Sequence, residues 1–309
     1  MKVIFMGTPD FAVGTLQAII DSPHEVVAVV TQPDKEKGRG KAVQFTPVKI
    51  CALAHDIPVL QPKRIKDAAA IEELRAFEAD IFVVAAFGQI LSKEILDMPK
   101  YGCICVHASL LPKYRGAAPI QWAILNGEKE SGVTIMQMDE GIDTGDMILK
   151  TIVPITKTET GDSLHDKLAV AGAALCVEVL GIIEAGHVTL IPQNNNEATH
   201  TKMLTKGMGH IRFEHSAVKI ERMIRGLNSW PSAYAILHDK VLKIWRAGVT
   251  DRKSTGVPGT IAEVTKQAIF VNTGDFMLEI KELQLEGKKR MCTAYFLLGY
   301  QIAVGEQLN

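Results

Sequence analysis

Apolar runs alternate with amphipathic stretches through the first half of the chain. Continuously apolar segments predict buried strands, and the clearest are KVIFM (2–6), VVAVVT (26–31), DIFVVAA (80–86), CICVH (103–107) and GVTIMQM (132–138). Apolar spacing of three and four residues predicts helices over 11–20, 47–55, 66–78 and 163–186. This alternation predicts right-handed βαβ units in an α/β fold, with a Rossmann-like, doubly wound, mostly parallel sheet. A ligand crevice is then expected at the carboxyl ends of the strands, where CICVH and the loops after Ala86 and Met138 would share one edge.

The pattern changes near residue 190. Residues 191–206 are mostly polar and indicate a linker, and a short amphipathic helix is predicted over 216–227. Period-two segments then predict five or six short strands: YAILHD, VLKIWRAGV, GTIAEV, AIFVNT and FMLEIKELQLE. Such strands predict a small OB-like β-barrel. We therefore expect a catalytic domain over 1–190, a linker over 191–206 and a second domain over 207–309.

The composition is that of a folded protein with two domains. Its 309 residues exceed the usual single-domain size, and 47% apolar with 22% charged residues is near the globular average. The net charge of -1 argues against a protein coated in positive charge. From Lys206 onward, however, 15 Lys/Arg face 10 Asp/Glu, whereas the first 205 residues hold 19 and 25. That asymmetry is a weak indication of a polyanionic partner.

Cysteine usage and hydropathy indicate a compartment. The five cysteines are scattered and odd in number, which favours a reducing cytoplasm over a disulfide framework. The opening apolar run is too short for a signal peptide, and no run is long enough to cross a membrane. We expect a cytoplasmic protein without a membrane segment.

Two stretches carry the candidate chemistry, HASLLPKYRG (107–116) and GIDTGD (141–146). The first places His107 at a predicted strand end, and the second offers the carboxylates of Asp143 and Asp146. A histidine transfers protons near neutral pH, and a carboxylate beside it fixes the tautomer and stabilises the charged form. The sequence therefore predicts a site for proton transfer.

Other classes of site are disfavoured. No serine lies in a G-x-S-x-G elbow, so a hydrolase triad lacks its nucleophile. Cys103, Cys105 and His107 alternate along one strand, but no second cluster completes a zinc site, so no metal is expected. The turn at Gly7 does not read G-x-G-x-x-G, which argues against dinucleotide binding.

The stretch GCICVHASLLPKYRGAAPI (102–120) resembles the signature of the 10-formyltetrahydrofolate-dependent formyltransferases, and DTGD (143–146) continues the resemblance. Other stretches resemble the branch of that family that acts on tRNA: MGTPDFA (6–12), TQPDKEKGRGKA (31–42), PVK (47–49), AAFGQIL (85–91), IRGLNSWPSA (224–233) and GKKRM (287–291). Together they extend over essentially the whole chain.

The resemblance implies transfer of the formyl group of 10-formyltetrahydrofolate to the α-amino group of initiator methionyl-tRNA, by a monomer. It makes His107 and Asp143 the proton-handling pair. Cys105 stands where the family usually has asparagine, and a thiol is the weaker donor. The alternatives are an enzyme slowed about 10²-fold by one lost donor, an impaired binder of folate and tRNA, or a thiol that carries the formyl group as a thioester. Another acceptor amine, such as an amino-sugar nucleotide, is the alternative substrate.

The resemblance also implies two sets of binding residues. Folate would lie against apolar walls and backbone edges, formed by Phe87, Gly88, Gln89, Ile90, Leu91, Ser109, Leu110, Leu111, Pro112, Asp139, Glu140 and Gly141. The tRNA would meet basic positions in the loop 33–42 and in the second domain, namely Lys35, Lys37, Arg39, Gly40, Lys41, Lys206, Lys288, Lys289 and Arg290. Arg39 is the strongest candidate among them.

Overall fold

The computed structural model describes residues 1–37 and 42–309, and within these ranges it leaves out the side chains at 36, 37 and 42. The described chain forms two compact units. The N-terminal unit comprises 1–119, 130–154 and 165–201, and the C-terminal unit comprises 120–129, 155–164 and 202–309. Each unit therefore draws on several segments of the chain. Among the described helices, none has the length and apolar character needed to cross a membrane.

Strands and helices alternate from the start. The first part of the chain forms β1 (Lys2–Gly7), α1 (Asp10–Ile20), β2 (Glu25–Val30), β3 (Lys35–Lys37), β4 (Ala42–Gln44), α2 (Pro47–Ala54), β5 (Val59–Leu60), α3 (Ala68–Arg75), β6 (Ile81–Ala85), α4 (Lys93–Leu96), β7 (Cys103–His107) and β8 (Arg115–Gly116). It continues with α5 (Pro119–Asn126), β9 (Glu130–Gln137), β10 (Met147–Pro154), α6 (Gly161–Glu184) and β11 (His200–Thr201). The apolar runs thus form the strands that the sequence predicts.

The central sheet of the N-terminal unit has the order β10-β9-β7-β6-β1-β2-β5. Its middle is parallel, with β1 between β2 and β6 and with β7 beside β6. The side chains of β6 and nearly all those of β1 are buried, as expected for parallel strands covered on both faces. The predicted α/β fold class with a mostly parallel sheet is confirmed.

One part of the sequence interpretation is wrong. Strand β9 runs antiparallel to β7, so that His107 is opposite Thr134, while Met138 donates its amide to Cys103 O at 2.8 Å. The loop after Met138 therefore starts at the amino end of β7, at the edge opposite His107. The expectation that this loop leaves from the same edge as His107 and the loop after Ala86 does not hold.

The C-terminal unit contains α7 (Ala217–Gly226), β12 (Ala233–Leu237), β13 (Lys240–Lys253), β14 (Ile261–Val264), β15 (Ile269–Val271), β16 (Phe276–Leu285), β17 (Met291–Cys292) and α8 (Thr293–Gly299). Its strands form a separate antiparallel sheet in the order β12-β13-β16-β15-β14, with β17 on β16. Strand β13 shifts register three times against β16, which bends a long strand around a core. Ile220 and Ile224 of α7 pack into that core. The separate antiparallel sheet predicted for the second part of the chain is thus confirmed, with α7 packed into its core.

Residues 191–206 are divided between the two units. Ile191 forms a backbone bridge with Met147, and β11 pairs with β8, so that 191–201 belong to the N-terminal unit. The C-terminal unit begins at Lys202 in this part of the chain. The predicted division at 190 and 206 therefore differs from the compact units both here and at the two inserted segments, 120–129 and 155–164.

Candidate active site

His107 is the last residue of β7 and is buried, with 7% of its surface exposed. Its Nε2 lies 3.0 Å from the carbonyl oxygen of Tyr114, and its Nδ1 lies 3.5 Å from Oδ1 of Asp143. A carbonyl only accepts, so the Tyr114 contact assigns a proton to Nε2. Nδ1 is therefore the ring atom that can gain or lose a proton, and it faces a carboxylate.

The loop 138–146 brings Asp143 to His107 although it starts at the opposite edge of the sheet. Asp143 has a left-handed backbone, with φ of 54°, and its Oδ2 accepts the amide of Gly116 at 2.7 Å. Gly145 is required because a Cβ there would lie 1.8 Å from Gln137 O. The sequence prediction that His107 and Asp143 form a pair agrees with this geometry, although the route of the loop differs from the one expected.

Several backbones around this pair adopt left-handed conformations. Ala86, Tyr114 and Ala118 have φ of 47°, 62° and 56°, and Gly116 has 99°. A left-handed residue other than glycine is disfavoured by about 1–2 kcal/mol, so these positions persist only because the surrounding fold supports them. Such strain concentrates at functional sites in proteins.

Cys105 lies two residues before His107 on the same strand. It packs against a small apolar cluster of Leu111, Met136 and Met147. Burial, together with the nearby Asp143 carboxylate, raises the pKa of the Cys105 thiol well above its usual range. The side chain is therefore a neutral thiol in an apolar setting, which argues against a thiolate that would carry a formyl group.

The turn after His107 is held by strand β9. Thr134 donates its hydroxyl to Ser109 O at 2.7 Å and accepts the amide of Leu111 at 3.1 Å. The Ser109 hydroxyl donates its proton to Lys113 O at 2.7 Å, which closes the turn, and the residue is buried. Leu111 is fully buried. This part of the predicted folate surface is thus rigid, and its buried side chains serve the turn.

The loop after β6 has both structural and exposed members. Phe87 and Leu91 are buried in the core of the sheet, and Gln89 binds Ile65 N and Pro62 O. Gly88 has φ of 84°. Ile90, in contrast, is 74% exposed, although it is large and apolar. Of the apolar side chains predicted here for folate, Ile90 is the one available to a ligand.

The third predicted folate segment is stabilised by an internal turn. Asp139 Oδ1 accepts the amide of Gly141 at 3.0 Å and the hydroxyl of Thr144 at 2.7 Å. Asp139 and Glu140 also line a cavity of about 450 Å³ at the amino end of β7, away from His107. Ile142, which the sequence analysis did not single out, is 62% exposed between this turn and Asp143. An apolar residue inside a glycine-rich loop was the signal for it.

The predicted tRNA residues are only partly described. Gly38, Arg39, Gly40 and Lys41 lie outside the described residues, as does the side chain of Lys37. At the base of the β3–β4 hairpin, Lys35 is exposed. The preceding residue, Asp34, accepts a hydrogen bond from Lys49 Nζ at its Oδ2, at 2.5 Å.

The basic residues of the C-terminal unit differ in their environments. Lys206, Lys288 and Lys289 are exposed. Arg290 makes two hydrogen bonds to Glu282, at 2.6 and 3.0 Å, and its guanidinium lies 4.6 Å from the ring centroid of Trp245. The charge of Arg290 is thus already balanced, so it is the weakest of these four candidates for a phosphate contact.

Sequence reasoning also missed Gln193, because a polar residue in a polar stretch reads as linker. Its side chain binds both Arg115 and the Asp143 loop. Within the described residues, no group of three or more His, Cys, Asp or Glu side chains could hold a metal ion.

Comparison with known proteins places both parts of the chain in one family. Residues 1–180 match the formyl transferase family, and residues 203–301 match the formyl transferase C-terminal domain. The methionyl-tRNA formyltransferase of Agathobacter rectalis is 59% identical over 305 residues, 99% of this chain and 98% of that protein. The methionyl-tRNA formyltransferase of Clostridioides difficile is 50% identical over 99% of each chain.

A solved structure shows the same fold at lower identity. An N-formyltransferase from Helicobacter canadensis, in complex with folinic acid and dTDP-3-aminofucose, superimposes with a TM-score of 0.67 at 23% identity. The match covers 91% of this chain and 98% of that one. With family matches in both its parts and half or more of its residues identical to such full-length relatives, the chain belongs to the formyl transferase family, in its methionyl-tRNA formyltransferase branch.

Proposed function

We propose that this chain transfers the formyl group of 10-formyltetrahydrofolate to the α-amino group of initiator methionyl-tRNA, a step of translation initiation. The observation that carries the proposal is the pair of His107 Nδ1 and Asp143 Oδ1, 3.5 Å apart, in which His107 is buried at the end of β7 and Asp143 is half-buried. It lies in a chain that is 59% identical to a methionyl-tRNA formyltransferase. The pair supplies the proton transfer that formyl transfer requires.

The reaction exchanges one amide bond for another. The amine nitrogen attacks the formyl carbon, the bond from that carbon to N10 of the folate breaks, and the proton lost by the amine ends on N10. Because Nε2 of His107 is committed to Tyr114 O, Nδ1 is the atom that takes this proton and returns it. Asp143 stabilises the imidazolium that forms between the two steps.

Two exposed apolar side chains of the N-terminal unit support folate binding. Ile90 and Ile142 lie on the loops that follow β6 and β9, and both expose more than half of their surface. Flat heteroaromatic rings bind against such apolar walls, with backbone groups at the ring edge. The backbone groups that contact the ring edge would come from Gly88 and Gly141.

The tRNA is proposed to bind through phosphate contacts in both units. The candidates are the loop 33–42, with Arg39 foremost, and the exposed lysines Lys206, Lys288 and Lys289. Such contacts release counterions, so affinity falls steeply with salt concentration. We further propose that the protein acts as a monomer in the cytoplasm, which light scattering of the purified protein and cell fractionation would test.

One assay tests the proposed function. The purified protein is incubated with 10-formyltetrahydrofolate and methionyl-tRNA, and formyl-methionine is measured after hydrolysis of the ester. A parallel reaction replaces the tRNA with a dTDP-linked amino sugar. Formyl-methionyl-tRNA as the main product supports the proposal. Formylation of the sugar alone, or folate binding without any product, would contradict it.

A further inference from the structure

Gln193 makes four side-chain hydrogen bonds that join two parts of the site. Its Nε2 donates to the carbonyl oxygens of Asp143 at 2.9 Å and Gly145 at 2.7 Å. Its Oε1 accepts from Arg115 Nε at 3.0 Å and Nη2 at 2.8 Å. An amide side chain has two N–H donors and two acceptor lone pairs, so its hydrogen-bonding capacity is fully used.

The orientation of this amide is fixed by its partners. A guanidinium only donates and a carbonyl only accepts, so a rotated amide would oppose donor to donor and acceptor to acceptor. Arg115 is itself held firmly, because it is 97% buried, as its exposure of 3% shows, and also donates to Asn195 Oδ1 at 2.9 Å. Its backbone amide donates to Thr199 O at 2.8 Å. Arg115 therefore presents Gln193 to the loop in a single geometry.

Gln193 acts on the backbone of Asp143, the residue whose carboxylate faces His107. Gln193 binds the peptide carbonyls on either side of Thr144, while the backbone of Asp143 is left-handed. Such a backbone is not the one an aspartate prefers, so outside contacts must hold it. With the backbone held, Asp143 Oδ2 meets the amide of Gly116 and Oδ1 meets His107.

We propose that Gln193 is a positioning residue for the Asp143 carboxylate, with Arg115 as its anchor. The catalytic consequence rests on the proposed function, whereas the geometric consequence does not. A displacement of about 1 Å in a reacting group can lower a rate by roughly 10²-fold. Removing the two donors of Gln193 should therefore lower turnover, although Gln193 touches neither His107 nor the carboxylate itself.

The test uses the full-length protein with Gln193→Ala and Gln193→Glu. The second variant keeps the size and the Arg115 contact but turns two donors into acceptors against two carbonyls. Asn195→Ala is the matched control, because Asn195 bonds to the same guanidinium without a hydrogen bond to the loop. Thermal unfolding confirms that each variant is folded.

The first readout is the amide proton of Gly116 in NMR spectra, which reports its hydrogen bond to Asp143 without any need for activity. It should move upfield in both Gln193 variants and stay in place in Asn195→Ala. The second readout is formylation kinetics. Turnover should fall by roughly 10- to 100-fold in the Gln193 variants, with KM for methionyl-tRNA within about two-fold of wild type.

Two results would overturn the inference. One is an unchanged Gly116 resonance in the folded Gln193 variants. The other is a loss of turnover in Asn195→Ala that equals the loss in Gln193→Ala, because that would indicate general loosening of the segment. A wild-type protein inactive on methionyl-tRNA would contradict the proposed function, whereas the Gly116 resonance would still decide whether Gln193 positions Asp143.

Discussion

Replacement of Cys105 by asparagine should make this protein faster and less stable. The thiol is a weak hydrogen-bond donor two residues before His107 on β7, in a pocket formed by Leu111, Met136 and Met147. An asparagine places an amide N–H, a strong donor, at the same point on the strand. A donor aimed at the oxyanion of the transferring formyl group strengthens in the transition state, so it acts on turnover.

The size of the gain follows from comparable sites. One aligned oxyanion donor contributes on the order of 3 kcal/mol, which corresponds to about 10²-fold in turnover. The opposing term is stability. The pocket is apolar, so the rest of the asparagine amide is poorly paired there until substrate binds, at about 1–3 kcal/mol. For a domain of this size that loss lowers Tm by roughly 2–4 °C for each kcal/mol.

The assay is single-turnover formylation of methionyl-tRNA with saturating 10-formyltetrahydrofolate, combined with thermal unfolding. Cys105→Ser is the matched control, because a hydroxyl of nearly the same size is a better donor than a thiol and should increase the rate by a smaller factor. Cys105→Ala removes the donor and should stay close to wild type. An unchanged or lower rate in a folded Cys105→Asn variant would show that a donor at this position does not assist formyl transfer.

Three further outcomes are expected. Asp143→Asn should lower turnover by about 10²- to 10⁴-fold without unfolding the protein, as single-turnover kinetics and circular dichroism would show, and a rate near wild type would remove Asp143 from proton transfer. The hydrogen bond from Lys49 lowers the pKa of Asp34, so the stabilisation is present above the usual aspartate range and disappears as the pH falls through the lowered folded-state pKa. The free energy of urea unfolding of Asp34→Asn should therefore differ from that of wild type at pH 7, and the difference should shrink as the pH falls below the usual aspartate range. A difference that stays constant with pH would contradict this. Lys289→Ala should reduce the slope of log affinity for tRNA against log salt concentration by up to about one unit. Arg290→Ala, which breaks the ion pair with Glu282, should change this slope less. Equal slopes in the two variants would show that Arg290 also contacts phosphate.

The sequence predicted the strands better than their directions. Strand β7 occupies the predicted residues, because a continuously apolar run between polar turns has few alternatives. The reversal of β9 was not predictable, since an apolar run looks the same in either direction. Strand β10 was missed: its exposed Lys150 and Pro154 make it read as a loop, whereas it is an edge strand buried mainly on one face.

The site was predicted in part for the same reason. His107 and Asp143 belong to motifs with unusual residue types, and their chemistry is visible in the sequence. Gln193 and Thr199 were assigned to a linker because polar residues usually face solvent there. In the fold they satisfy backbone groups of the turn at 114–116 and of the Asp143 loop. Such a role depends on tertiary contacts between residues 50 or more positions apart, which no local pattern encodes.

The distance in sequence between Asp143 and Gln193 also sets an order of events during synthesis. The loop that carries Asp143 leaves the ribosome 50 residues ahead of the side chain that holds it. At a synthesis rate of about 5–20 residues per second, roughly 3–10 s pass between synthesis of this loop and synthesis of Gln193. During that time the strands of the central sheet have been synthesised, but the hydrogen bonds from Gln193 to the loop cannot form. The N-terminal unit is complete only at residue 201. A chain that stalls before Gln193 would therefore contain every strand of the central sheet but lack the hydrogen bonds that hold the Asp143 loop.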